Sequence, residues 1–315
     1  MNRILVVRGG AIGDFILTLP TLKLLRERYS EARIEILGYK HIVALAENRF
    51  YAQAVRSIEY APLARFFAKD AELSPELSDY FGNFDLIISY LYDPDGTFER
   101  NLRRCGVEDI LVGSAKITGS EHAAVQLARV LKELDLSLTD PRARLFPSRE
   151  DEEFAMAFHN ELVSPVIALH PGSGSEKKTW SISRWQMLAQ TLCEKRVGSF
   201  LIVGGEADEQ EIAAFRSAEF HGSIHIAENL PLPQLAAVLQ QCALFVGHDS
   251  GISHLAAAVE MPCLLLFGPT DPAIWAPQNP DVRVLRAENG DLLQLEVRVA
   301  TEAVVQELMR IGINT

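Results

Sequence analysis

The sequence predicts an α/β protein made of two doubly wound domains. Three observations carry that prediction. At 315 residues the chain is too long for one domain of ~150 residues. Apolar runs of strand length alternate with amphipathic stretches of helical length. Two of those runs, at 4–7 and 166–169, each lead into a glycine-containing loop, so a strand–loop–helix series opens twice.

The first series begins with a buried-type strand at 4–7, followed by the tight loop Arg8-Gly9-Gly10-Ala11-Ile12-Gly13-Asp14. Residues 15–29 read as a helix interrupted or kinked at Pro20. A strand at 33–37, a helix at 41–48 and a short strand at 54–60 come next. The run 84–90 is a further buried strand, ending in the turn chemistry of Asp93-Pro94-Asp95-Gly96. After a short apolar run at 110–112, residues 120–134 place Val125, Ala128, Leu131 and Leu134 at helical spacing. The domain boundary is expected within 137–164, which holds Pro141, Pro147 and a charged run at 149–153. The domains are set at 1–150 and 151–315.

The second series predicts strands at 166–169, 199–203, 244–246 and 262–267. Its helices are expected at 183–195, 208–216, 233–241, 250–259 and 302–311. In such sheets ligands bind beyond the carboxyl ends of the strands, so the loops after the strands are the places to search.

Composition narrows the function. The net charge is −12, divided between −1 for residues 1–150 (20 basic, 21 acidic) and −11 for 151–315 (10 basic, 21 acidic). That balance excludes general nucleic-acid binding, which relies on a net positive surface. No apolar run reaches the ~18 residues of a membrane-spanning helix, and the N-terminus carries no secretory pattern. The four cysteines, Cys105, Cys193, Cys242 and Cys263, form no C-x-x-C pair, so a disulfide framework or zinc site is not expected and a reducing cytoplasm fits.

Three loops could carry chemistry. The first lacks the spacing of a dinucleotide fingerprint but offers Asp14 at a helix start. Asp14 reads either as an N-cap or as a base that takes a proton from a substrate hydroxyl. The second, His170-Pro171-Gly172-Ser173-Gly174-Ser175-Glu176-Lys177-Lys178-Thr179-Trp180, combines small residues with lysines, a mixture suited to phosphate oxygens. Its bland reading is a solvated turn with Trp180 packed beneath it. The third, Gly247-His248-Asp249-Ser250-Gly251-Ile252-Ser253-His254, runs from a strand into an alanine-rich helix. There the free N–H groups of Ser250 and Gly251 would favour a diphosphate, with His254 one turn further on. The alternative is a plain cap by Asp249 with His254 in the core. Asp93-Pro94-Asp95 is read as a turn rather than a metal site. Glu206, after a strand and two glycines, could hydrogen-bond ribose hydroxyls or be a solvated acid. Arg100, Arg103 and Arg104 form a basic cluster that is either a helix's solvent face or a contact for an anionic acceptor.

At these residues the chain resembles glycosyltransferase family 9, the ADP-heptose:lipopolysaccharide heptosyltransferases. The resemblance lies in the opening strand and loop to Asp14, in His170-Pro171-Gly172 with Lys178-x-Trp180, and in Val203-Gly204-Gly205-Glu206. It is sharpest in Gly247-x-Asp249-Ser250-Gly251-x-x-His254 followed by Leu266-Phe267-Gly268-Pro269-Thr270-Asp271-Pro272. It implies a GT-B architecture of two Rossmann-like domains facing an interdomain cleft, and an inverting, metal-independent transfer needing no cofactor. The donor would be a nucleotide-diphosphate sugar, ADP-heptose by the resemblance, and the acceptor an anionic glycolipid of the lipopolysaccharide core. The enzyme would be cytoplasmic, with at most peripheral contact at the inner membrane. Asp14 is then the base. Lys178, Ser173, Gly174 and Ser175, with the N–H groups of Ser250 and Gly251, stabilise the leaving diphosphate; Asp249 orients that site, His254 adjoins it, and Glu206 holds the ribose. Two other functions fit a two-domain nucleotide-sugar protein: an epimerase, for which Asp14 and Glu206 are the visible acid/base candidates, and a non-catalytic binding module.

Overall fold

A computed structural model describes residues 1–114 and 116–313. The chain divides into two compact units, Met1–Pro141 and Arg142–Thr315.

The first unit runs β1 (Arg3–Arg8), α1 (Ile12–Arg28), β2 (Arg33–Gly38), α2 (Lys40–Val43), β3 (Ala54–Ser57), α3 (Pro75–Gly82), β4 (Leu86–Ser89), α4 (Thr97–Arg104), β5 (Ile110–Val112) and α5 (Ala123–Ala128). Its five strands are parallel in the order β3-β2-β1-β4-β5. β1 is central, and Ile4, Leu5, Val6 and Val7 are wholly buried, as a strand covered on both faces requires. α1 continues through Pro20 as one helix of 17 residues, so the expected interruption is absent. The helix expected over 120–134 is α5 followed by a 3₁₀ turn at Arg129–Leu134.

The second unit runs α6 (Arg149–His159), β6 (Val166–His170), α7 (Ile182–Glu194), β7 (Ser199–Gly204), α8 (Glu209–Ser217), β8 (Ile224–Glu228), α9 (Leu232–Gln240), β9 (Leu244–His248), α10 (Gly251–Ala258), β10 (Cys263–Phe267), α11 (Pro272–Trp275), β11 (Val282–Arg286) and α12 (Val297–Arg310). Its six strands are parallel in the order β11-β10-β9-β6-β7-β8. Read from β8, that is the third, second, first, fourth, fifth and sixth strand of the unit, the strand order of dinucleotide-binding folds. The order reverses between β6 and β9, so the loops after these two strands flank the switch point.

The division falls at Pro141, earlier than residue 150, because the connecting segment packs on the second unit. The Leu145 N–H donates to the Ala258 carbonyl (2.8 Å), Asn279 donates to the Ala143 carbonyl (3.1 Å), and Arg144 pairs with Glu260 (3.1 Å). Among the described residues no helix is long and apolar enough to cross a membrane.

Candidate active site

The two loops at the switch point of the second sheet are joined through His248, the last residue of β9. Its Nδ1 lies 3.1 Å from the Gly172 carbonyl, and its Nε2 accepts the Trp180 backbone N–H at 2.8 Å and the Trp185 indole N–H at 3.3 Å. Those partners assign the neutral tautomer with the proton on Nδ1. Burial pushes the His248 pKa down to about 4, against the Gly172 carbonyl, which favours the charged ring. One imidazole thus ties both ends of the 170–180 loop to the sheet. Trp180 is wholly buried edge-on to Trp185 (centroids 5.5 Å apart) and donates its indole N–H to Leu295 O (2.9 Å), so the loop is anchored on core tryptophans.

Within that frame Lys178 reaches Asp249. Its Nζ lies 2.8 Å from Asp249 Oδ2, and the Thr270 hydroxyl, from the loop after β10, donates to the same oxygen at 2.7 Å. The Asp249 carboxylate is nearly buried, whereas the Lys178 ammonium is about a third exposed and keeps donors for a ligand. The residue that caps α10 is Ser250, not Asp249: its Oγ accepts the Ser253 N–H, and the Ser253 hydroxyl turns to the His248 carbonyl. The capping reading of Asp249 is therefore corrected; Asp249 is the ion-pair partner of Lys178. His254 is buried one turn into α10, with its N–H on the Ser250 carbonyl (3.3 Å).

Beneath the loop lie His170 and Asp208. His170 Nε2 is 3.4 Å from Asp208 Oδ2, an ion-pair contact without hydrogen-bond alignment, and its Nδ1 is 3.4 Å from Ser250 Oγ. Asp208 also accepts the Gly205 N–H (2.9 Å). Glu206 is exposed in the turn after β7 and shares an open groove with Ser173, Glu176 and Thr179. The structure thus gathers Ser173, Lys178, Glu206, Asp249 and Ser250 around neighbouring loops of one sheet edge; Gly174 is exposed and Ser175 half-buried in the same loop.

In the first unit Asp14 is not the N-cap of α1. Ala11 holds that position and Asp14 is three residues in, where its Oδ2 accepts the Ala11 N–H (2.9 Å). Its Oδ1 lies 3.6 Å from the Arg8 guanidinium, and the Asp14 side chain remains 41% exposed. Arg8 is buried: it donates to Thr18 Oγ1 (2.9 Å) and the Asp14 carbonyl (3.1 Å), and lies over the Tyr90 ring (5.6 Å). Burial lowers its pKa, opposed by Asp14 and Tyr90. Gly10 permits the approach: its φ is +98°, and a Cβ there would stand 2.7 Å from Asp14 Oδ2.

Asp93 is consumed by the turn, as the sequence indicated: its carboxylate accepts the N–H groups of Thr97 (2.8 Å) and Glu99 (3.0 Å) at the start of α4. The basic cluster is occupied within the fold. Arg103 pairs with Glu99 (2.9 Å), Arg104 donates to Ala71 O (3.0 Å) and Asn101 Oδ1 (2.9 Å), and Arg100 donates to Thr97 Oγ1 (3.1 Å). The carboxyl end of α4 meets Gly82, just ahead of β4, and so lies at the sheet edge opposite Asp14. Sequence reasoning assigned no role to Arg8, His170, Asp208, His248 or Thr270. Their signal was position, each at or just past the carboxyl end of a strand.

Against known proteins, the model of glycosyltransferase family 9 (heptosyltransferase) matches residues 116–302, more than half of the chain. The chain belongs to that family. It is a glycosyltransferase. Lipopolysaccharide heptosyltransferase 3 of Escherichia coli K12 is 24% identical over 299 residues, covering 86% of this chain and 83% of that protein. A family 9 glycosyl transferase from Veillonella parvula DSM 2008 has a similar fold, with TM-score 0.79 and 19% identity over 98% of this chain and 97% of that one. E. coli ADP-heptose lps heptosyltransferase II is similar in fold as well, with TM-score 0.78 and 16% identity over 98% and 99% of the two chains. The fold is the GT-B type, with two Rossmann-like units.

Proposed function

We propose that this glycosyltransferase moves a heptosyl unit from ADP-heptose to a hydroxyl of a lipopolysaccharide-core glycan, with inversion and without a metal ion. The observation that carries the reading is the Lys178–Asp249 pair beside the amino end of α10, at the switch point of a sheet with dinucleotide-binding order. The names of the relatives support the sugar, donor and acceptor classes.

In this mechanism the diphosphate takes the N–H groups of Ser250 and Gly251, the remaining Lys178 N–H bonds and the Ser173-Gly174-Ser175 loop. Glu206 holds the ribose. Asp249 fixes the ammonium in place, and His254, one turn into α10, adjoins the diphosphate. Asp14 accepts the proton of the acceptor hydroxyl while that oxygen forms its bond to the anomeric carbon. The bond from that carbon to the diphosphate oxygen breaks, and its electron pair leaves with the diphosphate. Fixed donors aimed at that oxygen stabilise the developing charge. The donor-binding unit is acidic overall, so the attraction must be local, supplied by helix dipole and ammonium rather than by net charge.

The test is a thermal-shift panel of ADP, UDP and GDP, then a transfer assay on heptose-deficient lipopolysaccharide core with and without EDTA. ADP at 100 times its Kd contributes about 2.7 kcal/mol, a readily seen shift. Free ADP and glycosylated acceptor should appear together at a rate EDTA leaves unchanged. No stabilisation by ADP would overturn the donor reading, and loss of turnover in EDTA the metal-independent one.

A further inference from the structure

Arg8 is a buried cation that the transfer described above leaves without a role. It ends β1, the central strand, and its side chain is 5% exposed along the first turns of α1. Nη2 and Nε donate to the Asp14 carbonyl (3.1 and 3.3 Å), and Nε donates to Thr18 Oγ1 (2.9 Å). The Thr18 hydroxyl in turn donates to the same carbonyl at 2.8 Å. The guanidinium is thus spent on the backbone of Asp14. It approaches the carboxylate only to 3.6 Å, beyond hydrogen-bond distance. Beneath it lies the Tyr90 ring, fixed by the Tyr90 hydroxyl on the Leu127 carbonyl (3.0 Å) and by Gly113, where a Cβ would overlap that ring. Burial pushes the Tyr90 phenol above its ordinary pKa, so the ring brings no negative charge. Among the described residues Asp14 is the one carboxylate paired with Arg8.

The two carboxylate oxygens of Asp14 are therefore unlike. Oδ2 accepts the Ala11 N–H (2.9 Å) and packs where only a glycine at position 10 leaves room. Oδ1 accepts no hydrogen bond among the described residues, and the side chain it ends is 41% exposed. A bidentate arginine pair would occupy both oxygens and compete with a substrate hydroxyl for their lone pairs. Here the guanidinium grips the residue by its carbonyl and leaves one carboxylate oxygen uncovered.

We propose that Arg8 is the positioning residue of the base: it clamps the Asp14 backbone so that Oδ2 stays on the Ala11 N–H and Oδ1 stays open as the atom that takes the acceptor proton. The proton passes from the acceptor hydroxyl to Oδ1 as that hydroxyl oxygen bonds to the anomeric carbon, and it leaves for solvent once the product has departed. Arg8 itself touches neither sugar nor diphosphate. The inference rests on Asp14 being the base, as proposed above.

The experiment is steady-state transfer by the full-length chain, followed as ADP release from ADP-heptose with heptose-deficient lipopolysaccharide core. Turnover is counted per ADP site found by titration calorimetry, so that unfolded protein does not enter kcat. Arg8→Met removes the charge and the donors from a buried chain of similar length. It should lower kcat about 10–100-fold, the scale of a reacting group displaced by about 1 Å, and leave the donor and acceptor KM values unchanged. Thr18→Val, near-isosteric, takes away the hydroxyl that joins Arg8 Nε to the Asp14 carbonyl, and should lower kcat by a smaller factor with the same constant KM values. Wild-type kcat in Arg8→Met, or in Thr18→Val where Arg8→Met does not fold, would overturn the clamp. So would a loss that appears in either KM rather than in kcat, which would make Arg8 a scaffold or binding residue. Asp14→Asn separates the two readings: if it retains wild-type kcat, the base and the clamp both fall, whereas an inactive Asp14→Asn beside a fully active Arg8→Met removes the clamp alone.

Discussion

Asp208 Oδ1 stands 1.7 Å from where a Cβ on Gly172 would be, so the carboxylate and the loop backbone occupy each other's only space. The glycine in His170-Pro171-Gly172 is required by packing and not by torsion. Gly172→Ala should force the loop or Asp208 aside, costing about 1–3 kcal/mol in urea unfolding. The Asp208→Gly background should remove most of that increment, and a purely additive double mutant would show that the clash is not the cause.

His248 gives the fold a pH dependence of defined sign. Its folded pKa of about 4 lies below its ordinary 6.5, so the unfolded chain binds the proton more readily. Its contribution is complete above pH 6.5 and is lost as pH falls toward 4, about 3 kcal/mol over the window at 1.36 kcal/mol per unit. Asp208 acts in the same direction, but only below 3.8. Urea midpoints between pH 7 and 4.5 should drop in the wild type and flatten in His248→Gln. That variant should also lose about 2 kcal/mol at pH 7, where two buried hydrogen bonds go unmade.

Lys178→Ala leaves the nearly buried Asp249 carboxylate with Thr270 alone. Because Lys178 is about a third exposed, solvent screens the pair, and the expected cost is about 1–2 kcal/mol rather than the 3–5 of a fully buried pair. The donor KM should rise at least tenfold, the scale of one lost charge-assisted bond. A normal donor KM would remove Lys178 from the diphosphate site.

Asp14→Ala should lower kcat by about 10²–10⁴ and leave ADP affinity unchanged, the signature of a base that does not hold the donor. The loss of its bond to the Ala11 N–H should appear separately as about 1 kcal/mol of stability. Equal losses in ADP affinity and turnover would make Asp14 structural.

Charge reversal at Arg103 and Arg104 should leave the acceptor KM unchanged. Both guanidiniums are engaged within the fold, at the sheet edge opposite Asp14. A higher acceptor KM would mean that the glycolipid reaches that edge.

The buried strands were legible because β1, β4, β6, β7, β9 and β10 are covered on both faces and read as unbroken apolar runs. β8 and β11 escaped notice: they are edge strands, and His225, Arg283 and Arg286 interrupt their pattern. The loops around Lys178 and Asp249 stood out through their small residues, but the pairing of the two side chains depends on β6 and β9 being neighbours, which no local pattern states. His248 resembled an ordinary strand residue and Asp208 a solvated helix residue, since their partners are 76 and 38 positions away in Gly172 and His170. Arg8 was hidden similarly, at a strand end where an arginine usually faces water.

The strap formed by Ala143, Arg144 and Leu145 grips the second unit at Asn279, Glu260 and Ala258. A fragment begun at residue 151 would lose that grip and free the tail of an eight-residue helix, α10, whose head carries Ser250. Expression from Arg142 onward should instead yield a fragment with its nucleotide affinity intact.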